Sequence, residues 1–137
     1  MKKQEIFETV CKHLFKQGKQ AVDEGGSCQY RAPNGTMCAV GCLMDDKTYK
    51  LLMEGHALDE LLDGGTRYDI STNKYIPTPG FKVPGYFKRN RALLEELQGI
   101  HDNAVTFYEH DLRESLRDVG RRHDCRIGFL GDLKLNV

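Results

Sequence analysis

Apolar side chains recur at helical spacing in three separate stretches of the chain. In residues 3–17 they fall on one face of a helix, and polar residues fall on the other. Residues 88–103 and 107–123 repeat this pattern. We therefore predict three main amphipathic helices, with Gly18 ending the first. The apolar positions of the first helix are Ile6, Phe7, Val10, Cys11, Leu14 and Phe15.

Residues 28–40 have the pattern of a β-hairpin. Two short segments flank a central turn in which Pro33 and Asn34 suit the middle positions of a type I turn and Gly35 suits the left-handed position after it. An isolated two-stranded hairpin is only marginally stable in water. We therefore expect one face of this hairpin to be buried against the helices.

The remaining segments are less regular. Residues 41–62 suggest short helical pieces, and residues 64–86 combine glycine, proline and aromatic residues in what we predict to be a long loop. Residues 126–137 form a tail whose loose alternation suits either an edge strand or a tether. The prediction is a single domain, 1–137, of the helix-rich α+β class, in which three main amphipathic helices pack on a short β-hairpin.

Composition excludes several functional classes. The 137 residues carry 20 Lys and Arg against 20 Asp and Glu, so the chain lacks the overall basic field that phosphate binding needs. No apolar run reaches the roughly 18 residues of a membrane span, and the charged start leads into no signal-peptide core. We expect a cytoplasmic protein without a membrane or nucleic-acid partner.

The five cysteines do not follow a recognised metal-binding spacing. No CxxC pair occurs, and a zinc site would have to combine Cys28, Cys38 and Cys42 with a distant histidine, His101 or His123. Free cysteine also packs well as a small buried residue. We therefore expect neither a metal nor a cofactor, and thiols rather than disulfides in a reducing compartment.

The central block resembles an uncharacterised family of small proteins from bacteriophages, prophages and some bacteria. Its pattern, C-x-Y-R … C-A-V-G-C-L … M-E-G, matches residues 28–31, 38–43 and 53–55, and an L-Q-x-I-H-D segment matches residues 97–102. The long loop and the tail lie outside the likeness. The resemblance implies a phage accessory protein acting in the cytoplasm of a bacterial host. It implies no mechanism.

Four polar residues lie within the resembling block: Tyr30, Arg31, Glu54 and His101. An arginine at the end of a short strand can hold a carboxylate with two parallel hydrogen bonds, and Arg31 with Glu54 is the pair we expect. This pair either ties the hairpin to a helix or lines a pocket for a small anion or nucleotide.

A thiol enzyme is the main alternative to a binding protein. Cys38 or Cys42 would be the nucleophile, since each lies near a strand-to-helix junction, and His101 would be the base. Asp102 would point about 100° away from His101 on a helix, so we do not expect it to orient the ring. This site would lie around Arg31, Cys38, Glu54 and His101.

Arginines recur along the last predicted helix at Arg113, Arg117 and Arg121, followed by Arg122. They predict a basic outer face, but neighbouring acids at i,i+4 spacing neutralise part of it and no aromatic platform accompanies it.

Residues 66–91, which hold most of the long loop and the basic residues after it, best suit a protein interface. Interfaces draw much of their binding energy from tyrosine, phenylalanine and arginine. We therefore predict binding to a host or defence-system protein, with inhibition or modulation by surface occupancy. The predicted contact residues are Tyr68, Tyr75, Phe81, Tyr86 and Arg89.

Overall fold

The computed structural model describes residues 1–137, apart from the side chain of Arg67. Over these residues the chain forms five α-helices and one two-stranded antiparallel sheet. In chain order they are α1 (Lys3–Gln17), α2 (Leu58–Asp63), β1 (Gly65–Asp69), β2 (Lys74–Thr78), α3 (Gly85–Arg89), α4 (Arg91–Asn103) and α5 (Glu109–Arg122). Single 3-10 turns lie at Gly41–Leu43, Leu51–Met53 and Gly128–Asp132. The helix-rich α+β class and the three main amphipathic helices are confirmed.

The core forms where α1, α4 and α5 meet. Every apolar position predicted for α1 is buried, and α1 contacts both of the other long helices. Each fully buried leucine or phenylalanine contributes roughly 1.5–3 kcal/mol, so the α1 stripe is a main source of stability. The buried apolar side chains that α4 and α5 add are Leu93, Leu94, Leu97, Leu112, Leu116 and Val119.

Residues 28–40 reverse direction as predicted but do not form a ladder. Gly35 takes a left-handed φ of 87°, and a single bridge joins Arg31 to Met37. The predicted hairpin strands are absent because side chains take the backbone amides that would extend them. The Tyr30 N–H donates to Glu54 and the Thr36 N–H donates to Asn34, so neither amide completes its cross-strand pair. The N–H groups of Arg31 and Met37 point away from the hairpin and donate to Glu54 and Gln17.

The regular hairpin lies instead in residues 64–86, where we predicted a long loop. β1 pairs with β2 in continuous register from Gly65 opposite Thr78 to Asp69 opposite Lys74. Asn73 takes a left-handed φ of 56° at the turn between them. The loop prediction was wrong because these strands are five residues long and bury none of their described side chains, so they show little hydrophobic pattern.

The tail is a tether and not an edge strand. Its Gly128–Asp132 turn buries Leu130, and the backbone N–H of Asn136 donates to the Phe15 carbonyl at 3.0 Å. No edge strand forms, because the 3-10 turn interrupts the alternation of apolar and polar residues from which that strand was predicted.

Candidate functional site

Glu54 organises the central polar cluster. Its carboxylate accepts the Tyr30 N–H at 2.8 Å, the Arg31 N–H at 3.0 Å and the Tyr49 hydroxyl at 2.7 Å. The 3-10 turn Leu51–Met53 places it beside the reversing segment. The expected contact between Arg31 and Glu54 therefore exists, but it is made by the backbone amide of Arg31 and not by its guanidinium.

The Arg31 guanidinium turns toward another part of the chain. It donates to Asp46 Oδ1 at 2.8 Å and to the Met44 carbonyl at 2.9 Å, and it lies 4.8 Å from the centre of the Tyr49 ring. Through these contacts Arg31 holds residues 44–46 and residue 49 against the reversing segment. The geometry is that of a structural clamp in which both terminal nitrogens of Arg31 bind protein groups, while its buried Nε has no hydrogen-bond partner among the described residues.

His101 lies apart from that clamp, buried at the C-terminal end of α4. Its Nε2 accepts the N–H of Ala21 at 2.9 Å, and its Nδ1 lies 2.8 Å from Asp102 Oδ1. An acceptor at Nε2 places the ring proton on Nδ1, where it is donated to Asp102. Asp102 thus orients the adjacent ring, contrary to the prediction from helical spacing, because side-chain rotation brings the carboxylate to the ring.

Cys28, His101 and Asp102 have their potential ligand atoms within 4.8 Å of one another. In the described part of the chain, this is the one group of three such residues close enough to hold a metal ion. The hydrogen bonding of His101 does not fit a metal. A cation on Nδ1 would require the proton on Nε2, where it would face the Ala21 N–H. Cys38, Cys42 and His123, the other residues that a zinc site would have needed, do not belong to this group.

The two thiols proposed as nucleophiles are unsuited to that role. Cys38 is fully buried, and burial raises its pKa to about 12. The pKa of Cys42 is also raised to about 12, mainly by burial and to a smaller extent by electrostatic repulsion from Cys38. Burial and then Asp102 raise the pKa of Cys28 to about 11. A nucleophilic thiol needs a lowered pKa, so the burial and raised pKa values of these cysteines do not support the thiol-enzyme alternative.

A cleft of about 320 Å³ lies beside the His101 cluster and is lined by Cys28, Tyr30, His56, Gln98 and Asp102 among others. Arg31, Cys38 and Glu54 do not belong to this lining. The structure therefore splits the predicted polar cluster into two parts: a clamp on Glu54, and the buried His101, whose hydrogen-bond partner Asp102 lines the cleft.

The basic outer face of α5 is smaller than predicted, because Arg113 is covered and the other arginines pair with acidic side chains. Arg113 is only 14% exposed and donates to the carbonyls of Leu130 and Leu133, which holds the tail against the helix. Arg117 pairs with Glu114, and Arg122 pairs with Glu96. The expected outer ridge was wrong at Arg113, because the tail covers that side of the helix.

The five predicted contact residues divide into two groups. Phe81 packs against the core and donates its N–H to Leu61, and the Tyr86 hydroxyl donates to the Leu43 carbonyl. Both belong to the body of the protein. Tyr68, Tyr75 and Arg89 are exposed, and the two tyrosines face each other across the β1–β2 hairpin.

The exposed tyrosines form the centre of an unburied sheet face. Their rings lie 5.2 Å apart in an edge-to-face arrangement, with Tyr68 46% and Tyr75 72% exposed. Thr66 and Pro77 pair opposite each other on the same face, and both are exposed. We call these four residues the aromatic face. No described residue in 65–78 is buried, so the hairpin projects from the body as an arm.

The base of the arm is tightly fitted. Gly64 has a left-handed φ of 80°, and a Cβ there would lie 2.2 Å from the Thr78 carbonyl oxygen. Only glycine permits both the conformation and this approach. The tip adds Ile70, which is 88% exposed and which the sequence analysis missed as a contact candidate. The signal that could have identified it is that Ile70 is a lone aliphatic residue between the polar residues Asp69 and Ser71.

Comparison of the chain with protein-family models, with curated proteins and with solved structures found no match. The resemblance to the phage pattern therefore stays a prediction. None of the helices described in the structure has both the length and the apolar character that crossing a membrane requires.

Proposed function

We propose that this chain acts by binding another protein through the aromatic face of its β-hairpin arm. The supporting observation is that Tyr68 and Tyr75 stand exposed on an arm that contributes no described side chain to the core. Large exposed aromatic residues are common anchors of protein interfaces.

The resemblance to phage proteins supports a host or defence-system protein as the partner. The action would be occupancy of the partner's surface and would require no chemistry from this chain. The raised thiol pKa values and the engaged state of Arg31 and His101 favour binding over catalysis.

The test is quantitative capture from a bacterial host lysate by the wild-type protein and two variants. Y68A/Y75A removes both rings from the aromatic face, whereas Y108A removes a tyrosine of similar exposure at the start of α5. We expect Y68A/Y75A to reduce recovery of the partner by roughly tenfold or more, since each anchor contributes at least about 1 kcal/mol. Y108A should leave recovery unchanged. Equal recovery of the same partner by Y68A/Y75A and wild type would remove the aromatic face from contention.

A further inference from the structure

The two outer edges of the arm differ in what they offer to another strand. Thr66 pairs with Pro77, and proline has no N–H, so this pair is a non-hydrogen-bonded one. Pair types alternate along an antiparallel ladder, which makes Tyr68–Tyr75 non-hydrogen-bonded too. The backbone groups of these four residues therefore point away from the hairpin.

On the outer edge of β1, both Thr66 and Tyr68 present an N–H and a carbonyl. On the outer edge of β2, Pro77 removes one N–H and leaves only that of Tyr75. Among the described residues, no backbone hydrogen bond joins Thr66 or Tyr68 to the body of the protein. Proline on an edge strand is a common barrier to strand addition. One edge of the arm is thus blocked and the other is open.

We propose that the open edge of β1 pairs antiparallel with the same edge of a second copy of this chain. A twofold axis lets each copy supply the same donors and acceptors to the other, so both edges are satisfied by one contact. The product is a four-stranded sheet with the order β2–β1–β1–β2. The two proline-bearing strands then form its outer edges.

The stability of the arm argues for this occupant. A two-stranded hairpin with no buried described side chain is marginal by itself, and sheets gain independent stability at three or more strands. Tyr68 is exposed in the single chain and lies on the strand that would be covered, and the exposed Ile70 follows directly after the end of that strand. The contact is short, so we expect a weak dimer with a dissociation constant on the order of 100 µM.

This inference rests on backbone groups at the edge of β1, whereas the proposed function rests on the side chains of Tyr68 and Tyr75, so the two are tested by different variants. The decisive measurement is sedimentation equilibrium over a range of protein concentrations. T66P removes one outward N–H from β1 without removing a hydrogen bond within the hairpin, as Pro77 does naturally in β2. T66V is the matched control, since it keeps the N–H and a β-branched side chain.

We expect wild type and T66V to dimerise with similar constants and T66P to weaken dimerisation at least roughly tenfold. Amide exchange on the wild-type protein gives a second readout in case T66P folds poorly. The Thr66 and Tyr68 amides should gain protection as the concentration rises from about 20 µM to about 1 mM. A wild-type protein that stays monomeric throughout, or a well-folded T66P that dimerises like wild type, would overturn the proposal. The first result would leave the edge open for a strand of a different protein.

Discussion

Glu54 shows how one side chain can take the place of a β-ladder. Its two oxygens accept two consecutive backbone amides and a tyrosine hydroxyl, so residues 30 and 31 need no partner strand for those groups. Hydrogen bonds to a charged acceptor are stronger than those between neutral groups. The segment is therefore held in place by a carboxylate from residues 51–55.

We expect Glu54→Gln to lower the free energy of unfolding by about 1–3 kcal/mol, because the amide nitrogen cannot accept a hydrogen bond and would face another donor. Urea denaturation monitored by circular dichroism measures the change. The matched control is Asp46→Asn, at an exposed carboxylate that pairs with Arg31 and should change stability little. Equal losses in both variants would contradict the role assigned to Glu54.

The buried thiols lead to a second expectation at this scale. Cys38 and Cys42, with pKa values near 12, carry almost no thiolate near neutral pH and should resist iodoacetamide in the native protein. Mass spectrometry of the labelled protein would show this, with the urea-unfolded chain as the control that labels at every cysteine. Rapid native labelling at either residue would restore the thiol-enzyme alternative.

At the scale of elements, the α1 and α5 boundaries were predicted well because their apolar faces lie on the core. The prediction for residues 88–103 missed the break at Asn90, where φ is −119° and one helix ends as the next begins. The strands could not be placed from sequence. Whether amides pair with a strand or with Glu54 depends on a side chain 23 or more residues away.

The tail is held to α5 by Arg113, which also lies 5.6 Å from the centre of the Phe15 ring. We expect Arg113→Ala to destabilise the protein by about 1–3 kcal/mol, since it leaves two tail carbonyls without their charged donor. Arg121→Ala is the control on the same helix, because Arg121 is exposed and pairs only with nearby Asp118 among the described residues. If Arg113→Ala and Arg121→Ala lowered the free energy of unfolding equally in urea, the contact between Arg113 and the tail would not be a source of stability.

The arm should be separable from the body. Replacing residues 66–77 with a short Gly/Ser linker should change the free energy of unfolding by less than about 1 kcal/mol, because no described side chain there is buried. Replacing residues 66–86 should cost more than about 2 kcal/mol, since it also removes the packing of Phe81 and Tyr86. Thermal and urea unfolding of both variants would measure the difference. A large loss in the shorter replacement would mean that the arm supports the core.

At the scale of the whole molecule, charge acts through local pairs. The 20 positive and 20 negative side chains form contacts such as Arg91 with Asp63 and Arg122 with Glu96, which connect separate helices. The neutral sum thus reflects short-range pairing between elements. A partner that recognises charge on this protein would therefore bind small local groups of charged residues and not one large charged surface.

Stability should fall as the pH is lowered. A hydrogen bond from Arg91 lowers the pKa of Asp63 below 3.8, the Leu135 amide lowers that of Glu109 below 4.5, and burial lowers that of His13 below 6.5. For each group the unfolded chain binds protons more readily, so the native state loses stability first below pH 6.5 through His13 and then below about 4.5 through the carboxylates. Glu95 opposes this trend, because its hydrogen bond with Asp59 raises its pKa.

Urea denaturation midpoints measured at several pH values would test whether stability falls as the pH is lowered. His13→Gln should reduce the loss of stability that begins below pH 6.5. Stability that rises as the pH falls from neutral to acidic values would contradict the assignment.

The sequence by itself determined the helix-rich class, the apolar face of α1 and the turn at Pro33–Gly35, because these depend on the periodicity of neighbouring residues. Only the tertiary structure decided that Glu54 binds amides of the reversing segment, that Asp102 orients His101 and that Arg113 holds the tail. It also decided that residues 65–78 form an exposed arm. These features depend on side-chain rotation and on contacts between distant residues, and local hydrophobic patterning carries no information about either.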